Sequence, residues 1–176
     1  MNYQIKPLAI AIFLLTSHFI AADELPTITH VSDITTYQGG EVTAPIIEKS
    51  SSPDQQDTHK LTFNNTKISI NNDTALNGMS FPAAISLGGW NGIEQGLQYG
   101  DLAITLDKDT NISVTRSSGN ITGVYTETDS SEGVASITSD ATIKITSVGN
   151  GDVRGILAQN FFDTNAHGTY NANYGP

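Results

Sequence analysis

Asp109-Thr-Asn-Ile-Ser-Val-Thr115 returns as Asp140-Ala-Thr-Ile-Lys-Ile-Thr146, an offset of 31 residues. A second echo follows each copy. Ile121-Thr-Gly-Val-Tyr125 returns as Val153-Arg-Gly-Ile-Leu157, an offset of 32. A period of this size marks one supersecondary unit stacked on its own copies. In such a chain, function is sought first on repeated surfaces rather than in one central pocket.

Working outward, the runs around the echo alternate apolar and polar residues. Examples are Leu102-Ala-Ile-Thr-Leu106, Val134-Ala-Ser-Ile137 and Ile143-Lys-Ile145. Residues two apart share one face of a strand, so these are short strands with an apolar inner face. Ser117-Ser-Gly-Asn120 and Gly149-Asn-Gly-Asp152 separate them as turns. The class is all-β. Three strands occur before the motif restarts, which predicts a right-handed parallel β-helix of a few rungs. A β-sandwich is the alternative, because evenly spaced short strands also describe one.

An earlier copy, Asn65-Thr-Lys-Ile-Ser-Ile70, lies 44 residues before Asp109 to Val114 and therefore carries an insertion. Asn77-Gly-Met79 is read at the place of Thr122-Gly-Val124. The Gly-rich segment Gly88 to Gly96, which holds Trp90, is read as the inserted loop. A fourth copy is expected to start near Phe161-Phe162 and to be left incomplete, with an open last coil. The repeats are assigned to residues 61–176, behind an irregular lead-in and cap over 23–60 that contains Pro26, Pro45 and Pro53.

Residues 1–22 read as a secretory signal peptide. Lys6 supplies the charged n-region, Pro7 to Ile20 the apolar stretch, and Ala21-Ala22 the small residues before a cut. The apolar run is short for a membrane span, which needs about 20 residues. The formal charge of −10 becomes −11 without Lys6. So acidic a chain is unsuited to nucleic acid, whose phosphates require clustered cations. No nucleic-acid partner and no stable membrane span are expected. Cysteine is absent, so thiolate metal sites and thiol nucleophiles are excluded.

The candidate sites are few. Asp107-Lys-Asp-Thr-Asn111 begins like a calcium loop, but Ile112 stands where glycine is needed and Ser118 where glutamate is needed. It is read as an acidic turn. His30, His59 and His167 are far apart and lack metal-ligand spacing. Asp140, Lys144, Asp152 and Arg154 lie close enough in sequence to suggest a lyase-like face, against a plain solvated one. Trp90 is the sole tryptophan and the one residue singled out for surface contact, by stacking on a sugar or anchoring a protein. No catalytic residue, metal or cofactor is assigned.

The leader, the missing cysteine, and rungs such as Ala141-Thr-Ile-Lys-Ile-Thr-Ser147 with Gly155-Ile-Leu-Ala158 resemble the N-terminal part of an autotransporter passenger. These are bacterial type V secreted proteins, similar in architecture to pertactin-like adhesins. The resemblance spans about Thr62 to Gln159. It implies a non-catalytic surface or secreted adhesin, with a host or bacterial surface protein or glycan as partner. It also implies an outer-membrane β-barrel, which this chain does not contain, in the full-length form. A truncated gene product held in the periplasm is therefore expected as one outcome. An extracellular carbohydrate-active β-helix protein is the alternative function.

Overall fold

The computed structural model describes residues 24–48, 58–71, 73–77, 79, 82–88, 100–128, 133–162 and 169–173, with 161–162 and 169–173 described by backbone alone. The expected signal peptide therefore lies outside the described residues. The chain is all-β with parallel sheets; α1 (Asp73–Leu76) is one turn long. After β1 (Thr27–Val31), a first pass runs through β2 (Ile34–Gln38), β3 (Glu41–Val42) and β4 (Ile46–Glu48). A second runs through β5 (Thr58–Asn64), β6 (Lys67–Ile70) and β7 (Ala83–Gly88), with α1 after β6. The third uses β8 (Asp101–Leu106), β9 (Asn111–Arg116) and β10 (Ile121–Thr128). The fourth uses β11 (Ala135–Ser139), β12 (Thr142–Ser147) and β13 (Val153–Phe162), followed by β14 (Thr169–Asn173).

Each pass visits three sheets in the same order. The first sheet is ordered β1-β2-β5-β8-β11, the second β3-β6-β9-β12 and the third β4-β7-β10-β13-β14. The pairings between passes are parallel, and their register is the sequence echo. Ile112 pairs with Ile143 at an offset of 31, and Ile121 with Val153 at 32. Ile68 pairs with Ile112 at 44, as the degenerate copy requires.

The third strand of that degenerate copy differs from the sequence reading. Thr122 and Val124 pair with Ala83 and Ile85, not with the segment 77–79. Asn77 instead follows α1 and donates its amide to Asp73. The extra residues (44 − 31 = 13) are also not one insertion. Comparing register partners across the two passes, five fall between the second and third sheets, six between the third and first, and two between the first and second. Dividing them among corners leaves every strand in register, which a single insertion within a strand would not.

Alternation builds the core. Leu61 and Phe63, Leu102, Ile104 and Leu106, Ile68 and Ile70, and Ile112 and Val114 are all buried and form one cluster with Ile85, Leu87 and Val124. Tyr37 stacks on Phe63 with ring centroids 4.8 Å apart. Burying such side chains yields roughly 1.5–3 kcal/mol each before entropy is charged. The stack of like residues therefore does the work that disulfides do in many small exported domains.

Alternation breaks at Gly123. Ile121 and Val124, three apart, both join this core, while Tyr125 joins Ala83 and Leu157 in a separate buried cluster. A Cβ on Gly123 would stand 2.6 Å from the Gly155 carbonyl oxygen and 2.8 Å from Ile143 Cγ2. Only glycine fits so close an approach.

The corner between the first and second sheets is two residues long in three passes: Gly39-Gly40, Asn65-Thr66 and Asp140-Ala141. Gly39, Gly40 and Asn65 have φ of 66°, 68° and 48°, the left-handed region that glycine and asparagine tolerate best. The third pass uses four residues, Asp107 to Thr110. There the Thr110 hydroxyl shares its one proton between Asp107 Oδ1 at 2.7 Å and the Phe63 carbonyl at 3.2 Å, and Thr66 Oγ1 lies 3.2 Å from the Tyr37 carbonyl one pass earlier. Hydroxyls thus add to the backbone bonds that join the passes at this corner, such as the Asp107 amide to the Phe63 carbonyl at 3.1 Å and the Asn111 amide to the Thr66 carbonyl at 3.0 Å.

The two ends are treated alike. Residues 27–48, within the stretch read as lead-in and cap, hold β1 antiparallel on β2 and then a complete pass. At the other end no further parallel pass starts at Phe161-Phe162. β13 continues through them, and β14 returns antiparallel on Ala158 to Phe162. The expected open last coil is therefore closed over part of the third sheet.

Candidate functional site

The first pass carries a polar cluster that faces inward. Thr35 and Tyr37 alternate on β2, and His59, Leu61 and Phe63 alternate on β5, so their side chains turn toward the core. Glu48, at the end of β4, meets them from the third sheet. The Tyr37 hydroxyl donates to Glu48 Oε1 at 2.6 Å, and His59 Nε2 lies 3.5 Å from Glu48 Oε2. The second separation is longer than a normal hydrogen bond, and His59 Nε2 is buried without a hydrogen-bond partner. His30 Nδ1 and Thr35 Oγ1 are 3.0 Å apart across the β1–β2 pair.

The electrostatics follow from this packing. Burial alone would raise the Glu48 carboxyl, but contacts from His59, Tyr37 and Thr35 outweigh it and hold the group below the usual carboxylate range. Burial, and then the hydrogen bond and charge of Glu48, push the Tyr37 hydroxyl far above the usual phenol range. The cluster thus holds an anion with a tyrosine donor and an imidazole beside it. Its side chains clamp the third sheet to the first where the first pass closes.

A second polar cluster lies away from the main core on the third sheet. Buried Tyr125 donates its hydroxyl to Glu127 Oε2 at 2.6 Å. Buried Gln159, whose register partner is Glu127, donates to the Tyr125 hydroxyl at 3.1 Å and to Glu127 Oε2. Glu127 Oε2 therefore has protein donors in place of water, as a buried polar group requires.

The residues singled out from sequence are placed as follows. Trp90 lies outside the described residues, as does His167. Asp140, Lys144 and Asp152 are exposed on the fourth pass. Arg154 pairs with Asp152 at 3.3 Å, whereas Lys144 stands on β12 in a different sheet. The structure therefore joins two of those four groups and puts a corner between them and Lys144.

Asp107 is used by its own turn. Its carboxylate accepts from Thr110 Oγ1 at 2.7 Å, from the Asn65 amide at 3.0 Å and from the Asp109 amide at 3.2 Å. Those donors outweigh burial and lower its pKa. Asp109 pairs with Lys108 at 2.9 Å. Among the described residues, no group of three or more His, Asp or Glu is placed to hold a metal. His30 and His59, read from sequence as distant and unrelated, are connected through Thr35 and Glu48.

The outward faces are regular. On the first sheet Thr36, Thr62, Thr105 and Thr138 are successive register partners. On the second, Ser69, Ser113 and Lys144 form one row, and Thr115 and Thr146 another. Neighbouring members of such a row stand about 4.8 Å apart, the strand spacing of a sheet. These rows are the most extended regular surface feature among the described residues. Compared with protein-family models, with curated proteins and with solved structures, the chain matches none.

Proposed function

We propose that the four passes form a right-handed parallel β-helix and that the chain serves as a non-catalytic adhesive passenger segment of a bacterial autotransporter. The observation that carries this reading is the row Thr36–Thr62–Thr105–Thr138, four hydroxyls in parallel register on one outward face. A stiff face that presents the same group at a fixed interval suits repeated weak contact with a surface protein or a glycan. Pairing at offsets of 31 and 32 favours a helix of sheets over a sandwich, whose neighbouring strands run antiparallel. The right hand follows from the chirality of parallel crossovers.

The resemblance to passengers supplies the cellular setting: export, a barrel in the full-length form, and a surface, secreted or periplasmic end point. No helix among the described residues is long and apolar enough to cross a membrane, which leaves a strand-built barrel untouched. The carbohydrate-active alternative is weakened by the separation of Lys144 from Asp152 and Arg154 on different sheets.

The test is adhesion of the exported chain to arrayed surface glycans and to cells, alongside a Thr62→Glu/Thr105→Glu variant. Retention that falls in the variant supports the reading. Cleavage of a polysaccharide that is lost in Lys144→Ala would replace it with the lyase alternative.

A further inference from the structure

One hydroxyl inside the coil has no protein group to bond. Thr126 is fully buried, and its Oγ1 makes no hydrogen bond. Its column, read across the passes, is Glu48, Leu87, Thr126 and Ala158, successive register partners on β4, β7, β10 and β13. Leu87 belongs to the main core, so the column faces inward. β10 has β7 on one side and β13 on the other, so both neighbours of Thr126 in the column are in place, and both are apolar. A buried hydroxyl left without a partner is costly, and an ordered water is its usual remedy.

The second polar atom that a water needs lies one strand over and two residues along. Asn160 is the register partner of Thr128, and its Oδ1 is likewise buried without a partner. The orientation of this amide is fixed, because Nδ2 donates to the Gly133 carbonyl at 2.8 Å. Turning it over would set Oδ1 against that carbonyl and lose the bond. Thr126 and Asn160 stand on one inward diagonal of about 8 Å at Cα, from a strand spacing of about 4.8 Å and a rise of about 3.3 Å per residue. Ala158, beside Thr126 and two residues before Asn160, brings only a methyl group where Leu87 of the second pass brings an isobutyl group. We infer that a single water is held at this corner inside the coil, accepting the Thr126 hydroxyl proton and donating to Asn160 Oδ1. It joins the third pass to the fourth beside the bond from Thr128 Oγ1 to the Gly100 carbonyl at 2.8 Å. Neither orphan is a carboxylate, and a hydroxyl with a neutral amide selects water over a metal cation, whose oxygen sites carry charge.

This inference goes beyond the adhesive reading and does not depend on it. The experiment counts long-lived internal waters in the purified chain by water magnetic relaxation dispersion, for wild type, Thr126→Val and Thr126→Ser. Valine keeps the shape of the side chain and removes the hydroxyl, whereas serine keeps the hydroxyl. The count is expected to fall by one in Thr126→Val and to stay the same in Thr126→Ser. The unfolding equilibrium constant of Thr126→Val is expected to rise about tenfold in the same buffer. A crystal structure of the wild type covers the case of a variant that does not fold. Density for a water within reach of both Thr126 Oγ1 and Asn160 Oδ1 supports the inference, and a Thr126 hydroxyl bonded to a protein acceptor overturns it. So do an unchanged water count in Thr126→Val, a Thr126→Val chain more stable than wild type, and a sodium or potassium ion bound in place of the water.

Discussion

The Tyr37 hydroxyl reaches Glu48 Oε1 at 2.6 Å and so ties the first sheet to the third across the opening pass. Both groups have shifted ionisation, in opposite senses, and each shift makes the folded state sensitive to pH. Glu48 ionises below its ordinary 4.5 in the folded chain. Its contribution is therefore complete above about pH 4.5 and is lost as pH falls through the lowered value. Tyr37 ionises above its ordinary 10.0. Its contribution is complete below about pH 10 and is lost as pH rises beyond that. Thermal melts across pH are expected to show both limbs, and Glu48→Gln is expected to flatten the acid one.

Tyr37→Phe keeps the ring stacked on Phe63 and removes only the donor. Glu48 then keeps less than its full set of partners, and a loss of about 1–3 kcal/mol is expected in denaturant unfolding. The alkaline limb assigned to Tyr37 should vanish in the same variant. Persistence of that limb would assign it to another group.

Gly123 and Gly155 are neighbours with opposite tolerance. A Cβ on Gly123 meets a carbonyl oxygen at 2.6 Å, while one on Gly155 meets nothing within 4 Å. Gly123→Ala is expected to cost about 1–3 kcal/mol through overpacking. Gly155→Ala should be neutral or slightly stabilising, since it restricts the unfolded chain. Equal effects at the two sites would contradict the close approach of β10 and β13.

Ile112 and Ile143 hold the same place in consecutive passes. Ile112 is fully enclosed, and Ile143 is only partly buried. Ile112→Ala is expected to cost about 2–5 kcal/mol, the range for an internal cavity. Ile143→Ala should cost less than half as much. Equal costs would mean that the fourth pass is covered.

The proposal that residues 1–22 are a secretory leader is open to a direct check. Expression in a bacterium with an outer membrane is expected to yield a product that starts at Asp23, within a residue or two, by intact mass. Retention of Met1 to Ala22 in the exported fraction would replace export by cleavage with an uncleaved anchor.

How much of this was legible in the sequence varies by element. The pairs at Ile112–Ile143 and Ile121–Val153 follow directly from the echo, because parallel stacking aligns like residues with like. The older copy was harder. Asn77-Gly-Met79 copies the glycine of Thr122-Gly-Val124, but α1 and the residues around it push the true partner on to Ala83. Glycine marked the wrong segment, while the apolar alternation of Ala83 to Leu87 marked the right one. The Tyr125–Glu127–Gln159 cluster was within reach, since extending the second echo by two residues sets Glu127 against Gln159. The Tyr37–Glu48–His59 cluster was not. It joins strands from two sheets, and no repeat in the first pass is strong enough to fix their register from sequence.

Everything proposed rests on parallel register between passes, and engineered cysteines test it most directly because the chain has none of its own. Ser113 and Lys144 are register partners on the outward side of β9 and β12, whereas Ser113 and Thr146 are two residues out of step. Cα atoms of adjacent strands stand about 4.8 Å apart, within the span a disulfide accepts. Mild oxidation is expected to close a Ser113→Cys/Lys144→Cys pair nearly completely and to leave Ser113→Cys/Thr146→Cys largely reduced. The reverse, or failure of both pairs in a folded chain, would contradict the stacked parallel architecture and the surface rows built on it.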